Sequence, residues 1–154
     1  MKVIRYCKII VIGRLLAIFS LVFVSILLFL AGLFSDDGVP RRILYFFLSL
    51  FGLFFFGKLF LLMIYVLFKE PTMFSYDADK IIVKNTEINR KNIAKVELVG
   101  EVPTGFLGTK SYGFILHCKD KKTVYIPTYY VLTKKEEAEI FTTLQQYVSN
   151  HKKL

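Results

Sequence analysis

Two long runs of apolar residues with no polar face open this chain, and segments of alternating pattern follow them. From Leu15 to Ser35 no charged side chain occurs, between Arg14 and the pair Asp36-Asp37. A helix of about 21 residues rising ~1.5 Å each covers roughly 31 Å, the thickness of a bilayer's hydrocarbon core. A second run extends from Ile43 to Phe68, after SDDGVPRR, whose Asp-Asp-Gly and Pro40 suit a tight turn. Helices joined by so short a loop are antiparallel. Residues 15–68 therefore read as a transmembrane helical hairpin, with spans 15–35 and 43–68 and loop 36–42, preceded by a basic leader over residues 1–14. A cleaved signal peptide would need an apolar stretch of only about 7–15 residues ending in a small-x-small site. Here the run is longer and ends Leu30-Ala31-Gly32-Leu33-Phe34. Gly52 and Gly57 do not have the GxxxG spacing that brings backbones together, so Phe46, Phe47, Phe51, Phe54, Phe55 and Phe56 are the expected packing content of the hairpin.

After Lys69-Glu70-Pro71 the period changes, since proline disfavours helix at the residue before it. Thr72 to Tyr76, the turn Asp77-Ala78-Asp79 and Lys80 to Lys84 read as a strand pair, with a brief strand around Thr86 to Asn89. Ile93 to Val99 alternates, with one irregularity, as a half-buried antiparallel strand does. A glycine-rich loop, Gly100 to Gly108, leads to strands at Tyr112 to Cys118 and Thr123 to Ile126. Thr133-Lys134-Lys135-Glu136 has capping-box spacing, and Ile140, Phe141, Leu144, Tyr147 and Val148 form one apolar stripe. The fold class is thus an α+β membrane protein: a two-helix hairpin, then a small antiparallel sheet of five to six strands capped by a C-terminal helix over residues 69–154.

Composition sharpens this division. Of 154 residues 55% are hydrophobic and sixteen are phenylalanine, and the excess lies before Phe68. The net charge is +9, and its distribution carries topological information. Lys2, Arg5, Lys8 and Arg14 precede the first span and Lys69, Lys80 and Lys84 follow the second, against Arg41 and Arg42 in the loop. The positive-inside rule then puts both termini in the cytoplasm of a multi-pass inner-membrane protein. Cys7 and Cys118 form no CxxC pattern and read as free thiols in a reducing compartment.

Lys58 interrupts the second run, in LFFFGKLFLLMIY. An ammonium in hydrocarbon is costly. If Ile43 marks the outer boundary, Lys58 lies about 8 Å from the cytoplasmic edge, close to the reach of a snorkelling lysine. The alternative is a contact with a partner, because neither span contains an acidic residue.

The element order and the stretch PTMFSYDADKIIVKNTEINRKNIAKVELV resemble the membrane-anchored bacterial pleckstrin-homology-like proteins, small two-span proteins without an assigned chemistry. The resemblance implies a PH-like sheet domain with a capping helix. Related proteins often carry an aromatic residue before the acidic-isoleucine step, where this chain has Asn89-Arg90-Lys91-Asn92-Ile93.

An enzyme would show a nucleophile with a base, paired carboxylates or a metal cluster. His117 and His151 are far apart without neighbouring ligands, and no glycine run precedes a helix as in a P-loop. The reading is a non-enzyme without cofactor or metal. Its candidate contacts with a protein partner or lipid are Lys58, the apolar tip Phe106-Leu107, and the lysines Lys119, Lys121 and Lys122. Beyond Phe68 fourteen Lys or Arg face ten Asp or Glu, too mild a bias for nucleic acid. The expected function is a PH-like protein- or lipid-binding module held at the cytoplasmic face, either as a monomer or as a homo-oligomer. A membrane immunity protein against a membrane-active toxin is the alternative.

Overall fold

The computed structural model of the chain describes residues 1–36 and 38–149. They form two compact units, one made of Lys8–Lys69 and the other of Met1–Cys7 together with the chain from Glu70 onward.

The first unit is a pair of helices, α1 (Lys8–Phe34) and α2 (Val39–Phe68), both long and apolar enough to cross a bilayer. Each begins earlier than its charge-free run, α1 at Lys8 rather than residue 15 and α2 at Val39 rather than 43. Charge delimits what can enter hydrocarbon, whereas a helix accepts Lys8, Arg14, Arg41 and Arg42 readily. Pro40 sits in the first turn of α2, where its missing N–H has no intrahelical partner to lose.

Small residues bring the helices together. Ser25, Ser49, Gly32 and Gly52 are all buried. Each serine hydroxyl donates within its own helix, Ser25 to the Leu21 carbonyl at 2.9 Å and Ser49 to that of Phe46 at 2.9 Å, so neither leaves a polar group unmet. A Cβ on Gly52 would stand 2.2 Å from Ser25 Oγ, and one on Gly32 would stand 3.4 Å from the Phe46 ring. Aromatic contacts do cross the pair, Phe19 to Phe60 at 6.0 Å among them, but most of the six phenylalanines expected there lie elsewhere. Phe47, Phe51, Phe54 and Phe55 all point outward, each more than half exposed. Of the six, Phe46 does pack across the pair, edge-on to Phe29 at 5.4 Å.

Residues 70–149 contain six strands, as expected, but in two sheets rather than one, and a seventh strand joins them from ahead of the helices. A four-stranded antiparallel sheet runs in the order β1 (Lys2–Arg5), β2 (Thr72–Tyr76), β3 (Lys80–Val83) and β4 (Thr86–Asn89). A 3-10 turn, Arg90–Asn92, leads to a three-stranded sheet of β5 (Ile93–Pro103), β6 (Lys110–Cys118) and β7 (Thr123–Pro127), and then to helix α3 (Lys134–Ser149). The additional strand, β1, lies in the stretch that charge marks as a leader. Lys2 pairs with Tyr76, Val3 with Ser75 and Ile4 with Phe74, so the chain enters the sheet, runs through both helices and returns to the adjacent strand.

The irregularity in β5 is a bulge between Ile93 and Lys95. It lets Ile93 and Val96, three residues apart, both be buried, which a strict period of two forbids. A second bulge, between Val99 and Val102, carries β5 on to Pro103, so Gly100 lies in a strand and the loop is confined to 104–109. Within β6, Gly113 is required by close approach: a Cβ there would lie 2.5 Å from the Ile126 carbonyl oxygen. The capping box forms as the spacing predicts, with the Thr133 amide donating to Glu136 at 2.7 Å and the Glu136 amide to Thr133 Oγ1 at 3.3 Å. Leu144 and Val148 are buried, and Phe141 stacks on Phe114 of β6 at 6.5 Å.

Candidate functional site

Lys58 lies exposed on the surface of α2, with its ammonium 4.1 Å above the centre of the Phe54 ring, one turn toward the N-terminus of the helix. A cation held over a ring face is stabilised by the ring quadrupole.

The Phe106-Leu107 tip is a hydrogen-bonded turn. The Thr104 amide donates to the Thr109 carbonyl at 3.0 Å, the Thr109 amide to that of Phe106 at 2.8 Å, and the Phe106 amide to Thr104 Oγ1 at 3.2 Å. Gly105 and Gly108 take positive φ, as does Leu107 at +44°. The turn separates the two apolar residues: Leu107 is 62% exposed while Phe106 is half-buried.

Lys119, Lys121 and Lys122 are exposed in the β6–β7 turn, where Lys121 takes φ +65°. The Lys119 amide donates to the Asn92 carbonyl at 2.7 Å, tying this turn beside the 3-10 turn. Leu107 precedes β6 and the lysines follow it, so a strand of roughly 30 Å separates the two candidates. They do not share a site.

A cluster that the sequence reading did not single out is assembled at Arg90. Asn89 caps the 3-10 turn, its Oδ1 accepting from the Lys91 amide at 3.0 Å. The Arg90 amide donates to the Asp79 carbonyl at 2.7 Å. Its side chain then reaches α3, donating from Nε to the Tyr147 carbonyl at 2.7 Å and from Nη1 to the Ala78 carbonyl at 3.2 Å. The guanidinium stacks on the Tyr147 ring at 4.4 Å, and that ring meets Tyr76 edge-on at 5.3 Å. Register sets Lys2 opposite Tyr76. Burial pushes the Tyr147 hydroxyl above the usual phenol range, although the Arg90 cation pulls the other way. That hydroxyl is buried without a hydrogen-bond partner among the described residues.

These side chains line a cleft of about 510 Å³ together with Asp77 and Gln146. The Asp77 carboxyl is held below its ordinary range first by the Asp79 amide and then by the Lys80 amide, both donating to Oδ1 at 3.1 Å. Arg90, Tyr76, Tyr147 and Lys2 lie on four different elements far apart in the chain, and only the folded sheet unit brings them together. Two signals for it were present in the sequence: the departure at Asn89 to Ile93 and the tyrosine on the α3 stripe.

On the outer face of the second sheet, Glu97 accepts from Lys95 at 2.5 Å and lies 3.0 Å from His117 Nε2. Lys95, and then His117, hold the Glu97 carboxyl below its usual range. Among the described residues no three His, Cys, Asp or Glu side chains converge as metal ligands would; His151 lies outside them. Cys7 is exposed and Cys118 buried, both free, and burial raises the Cys118 thiol.

A family model described as "Family of unknown function (DUF5381)" matches residues 2–153. No curated protein and no solved structure matches the chain.

Proposed function

The chain belongs to that family of unknown function, DUF5381, and from this premise we propose that it is a non-enzymatic membrane protein whose α1–α2 hairpin anchors a PH-like binding module at the cytoplasmic face of the inner membrane. The observation that carries the reading is the pairing of β1 with β2. Arg5 and Thr72 are register partners, so the two connections to the hairpin leave from neighbouring strands. A hairpin that enters and leaves from one strand pair puts both of its ends on the same side, independently of charge. The excess of Lys and Arg near those ends then assigns that side to the cytoplasm.

Four strands, then three, then a closing helix support the PH-like assignment. Function itself rests on sites rather than on fold, and the features available are recognition surfaces: the exposed Leu107 tip, the lysine turn and the Arg90 cleft. Nearby lysines attract anionic headgroups by about 1 kcal/mol each, so the lysine turn fits either an acidic protein surface or an anionic bilayer.

Alkaline carbonate washing of membranes from cells expressing the full chain tests the anchor. The protein is expected to stay in the pellet and to be released only by detergent. Recovery in the carbonate supernatant would overturn the reading.

A further inference from the structure

We propose that the Arg90 cleft is a receptor for an oxyanion, a phosphate or carboxylate, carried on a flat apolar body. The cleft lies wholly within the sheet unit, so this inference does not depend on the membrane reading.

Arg90 is already fixed before any ligand arrives. Nε and Nη1 are spent on the carbonyls of Tyr147 and Ala78, and its face lies on the Tyr147 ring. Its second terminal nitrogen, Nη2, has no partner among the described residues, and neither has the Lys2 ammonium on the same cleft. A guanidinium with a held plane and a free edge loses little entropy on binding an oxyanion, for which its planar donors are shaped.

The opposing charge in the cleft, Asp77, stays ionised with one carboxylate oxygen turned to two backbone amides, and the two cations outnumber it. Gln146 adds an uncharged amide donor. Tyr76, which meets Tyr147 edge-on and pairs in register with Lys2, adds an aromatic wall to the same cleft. Two cations and an aromatic ring lining one cleft suit an anion with an attached flat group better than a bare ion, because the ring contributes only when something lies against it.

The test is a titration of the full chain in detergent micelles, following the Arg90 Nε–H and Gln146 side-chain amide signals by NMR. The probes are phenyl phosphate, benzoate, inorganic phosphate and the neutral benzamide. Phenyl phosphate and benzoate are expected to shift both signals saturably, phenyl phosphate roughly fivefold more tightly than inorganic phosphate; benzamide is expected to leave them in place. Lys2→Gln should weaken phenyl phosphate by about threefold, and Arg90→Lys by about tenfold or more, since an ammonium lacks the planar fork. Should Arg90→Lys unfold the sheet unit, Lys2→Gln, on an edge strand, carries the comparison. Equal affinities for phenyl phosphate and inorganic phosphate, binding unchanged by Lys2→Gln, equal binding of benzamide, or no saturable shift in the millimolar range would each overturn the proposal.

Discussion

Arg90 donates from Nε to the carbonyl of Tyr147 at 2.7 Å and at the same time lies 4.4 Å from the centre of that residue's ring. One side chain thus joins the 3-10 turn to the last turns of α3, where backbone carbonyls lack intrahelical donors. A charge-assisted hydrogen bond contributes about 1.5–3 kcal/mol and a partly exposed cation–π contact about 0.5–1. Arg90→Ala should therefore destabilise the sheet unit by about 2–4 kcal/mol in urea unfolding followed by tyrosine fluorescence. A loss under ~0.5 kcal/mol would show that α3 is held by its apolar stripe alone.

Tyr147 also carries a buried hydroxyl with no hydrogen-bond partner among the described residues. Removing an unsatisfied buried polar group relieves its desolvation penalty, so Tyr147→Phe should stabilise by about 1 kcal/mol while keeping the ring under Arg90. The pH dependence has a definite sign. A phenol raised above its unfolded value contributes stability that is present below that value and is lost as pH rises through the folded one. Above about pH 10 the variant should therefore lose less stability than the parent chain, as melting curves between pH 8 and 11 would reveal.

Glu97 behaves in the opposite sense. Its carboxyl is lowered, first by Lys95 and then by His117, so its contribution is present above the unfolded carboxylate value and is lost as pH falls through the folded one. Glu97→Gln should flatten the acid side of the melting-temperature profile below about pH 4.5 while changing the alkaline side little. A profile that still falls as steeply in the variant would assign the acid loss to the other lowered carboxyls, Glu101 beside Lys110 and Asp77 under its two backbone amides.

Close helix approach at Gly52 gives a reciprocal test. A Cβ there would lie 2.2 Å from Ser25 Oγ, so Gly52→Ala should destabilise the hairpin by about 1–3 kcal/mol through overpacking. Ser25→Gly removes the obstructing atoms and should restore most of that loss in the double variant. Helical signal during denaturation in detergent measures it; additive effects would mean that the two positions do not meet. At Gly113 the obstacle is a backbone oxygen instead, so Gly113→Ala should have no such single-residue rescue.

Local pattern made much of this fold legible. The apolar runs mark both helices, the Asp77 turn marks β2–β3, and Thr133 with Glu136 marks the start of α3, because each signal lies within a few residues. What escaped depends on distance along the chain. Lys2 to Arg5 is a strand only because Thr72 to Tyr76 pairs with it after both helices have intervened; alone, its charges resemble those that flank any apolar span. The Arg90 cleft was hidden for the same reason, since it gathers Lys2, Tyr76, Arg90 and Tyr147 from four elements. Composition also misplaced the aromatic residues. Phenylalanine is as acceptable on an outward face as at a helix contact, and the close contact selected Ser25 and Gly52 for their size.

Labelling of single cysteines tests the central claim, a hairpin whose ends return to one cytosolic sheet. In a Cys7→Ser, Cys118→Ser background, cysteine replaces Gly38 between the helices or Lys121 in the exposed β6–β7 turn. A membrane-impermeant maleimide added to spheroplasts is expected to label the position-38 variant at once and the position-121 variant only after the membrane is permeabilised. Labelling of both before permeabilisation, or of position 121 alone, would contradict the account.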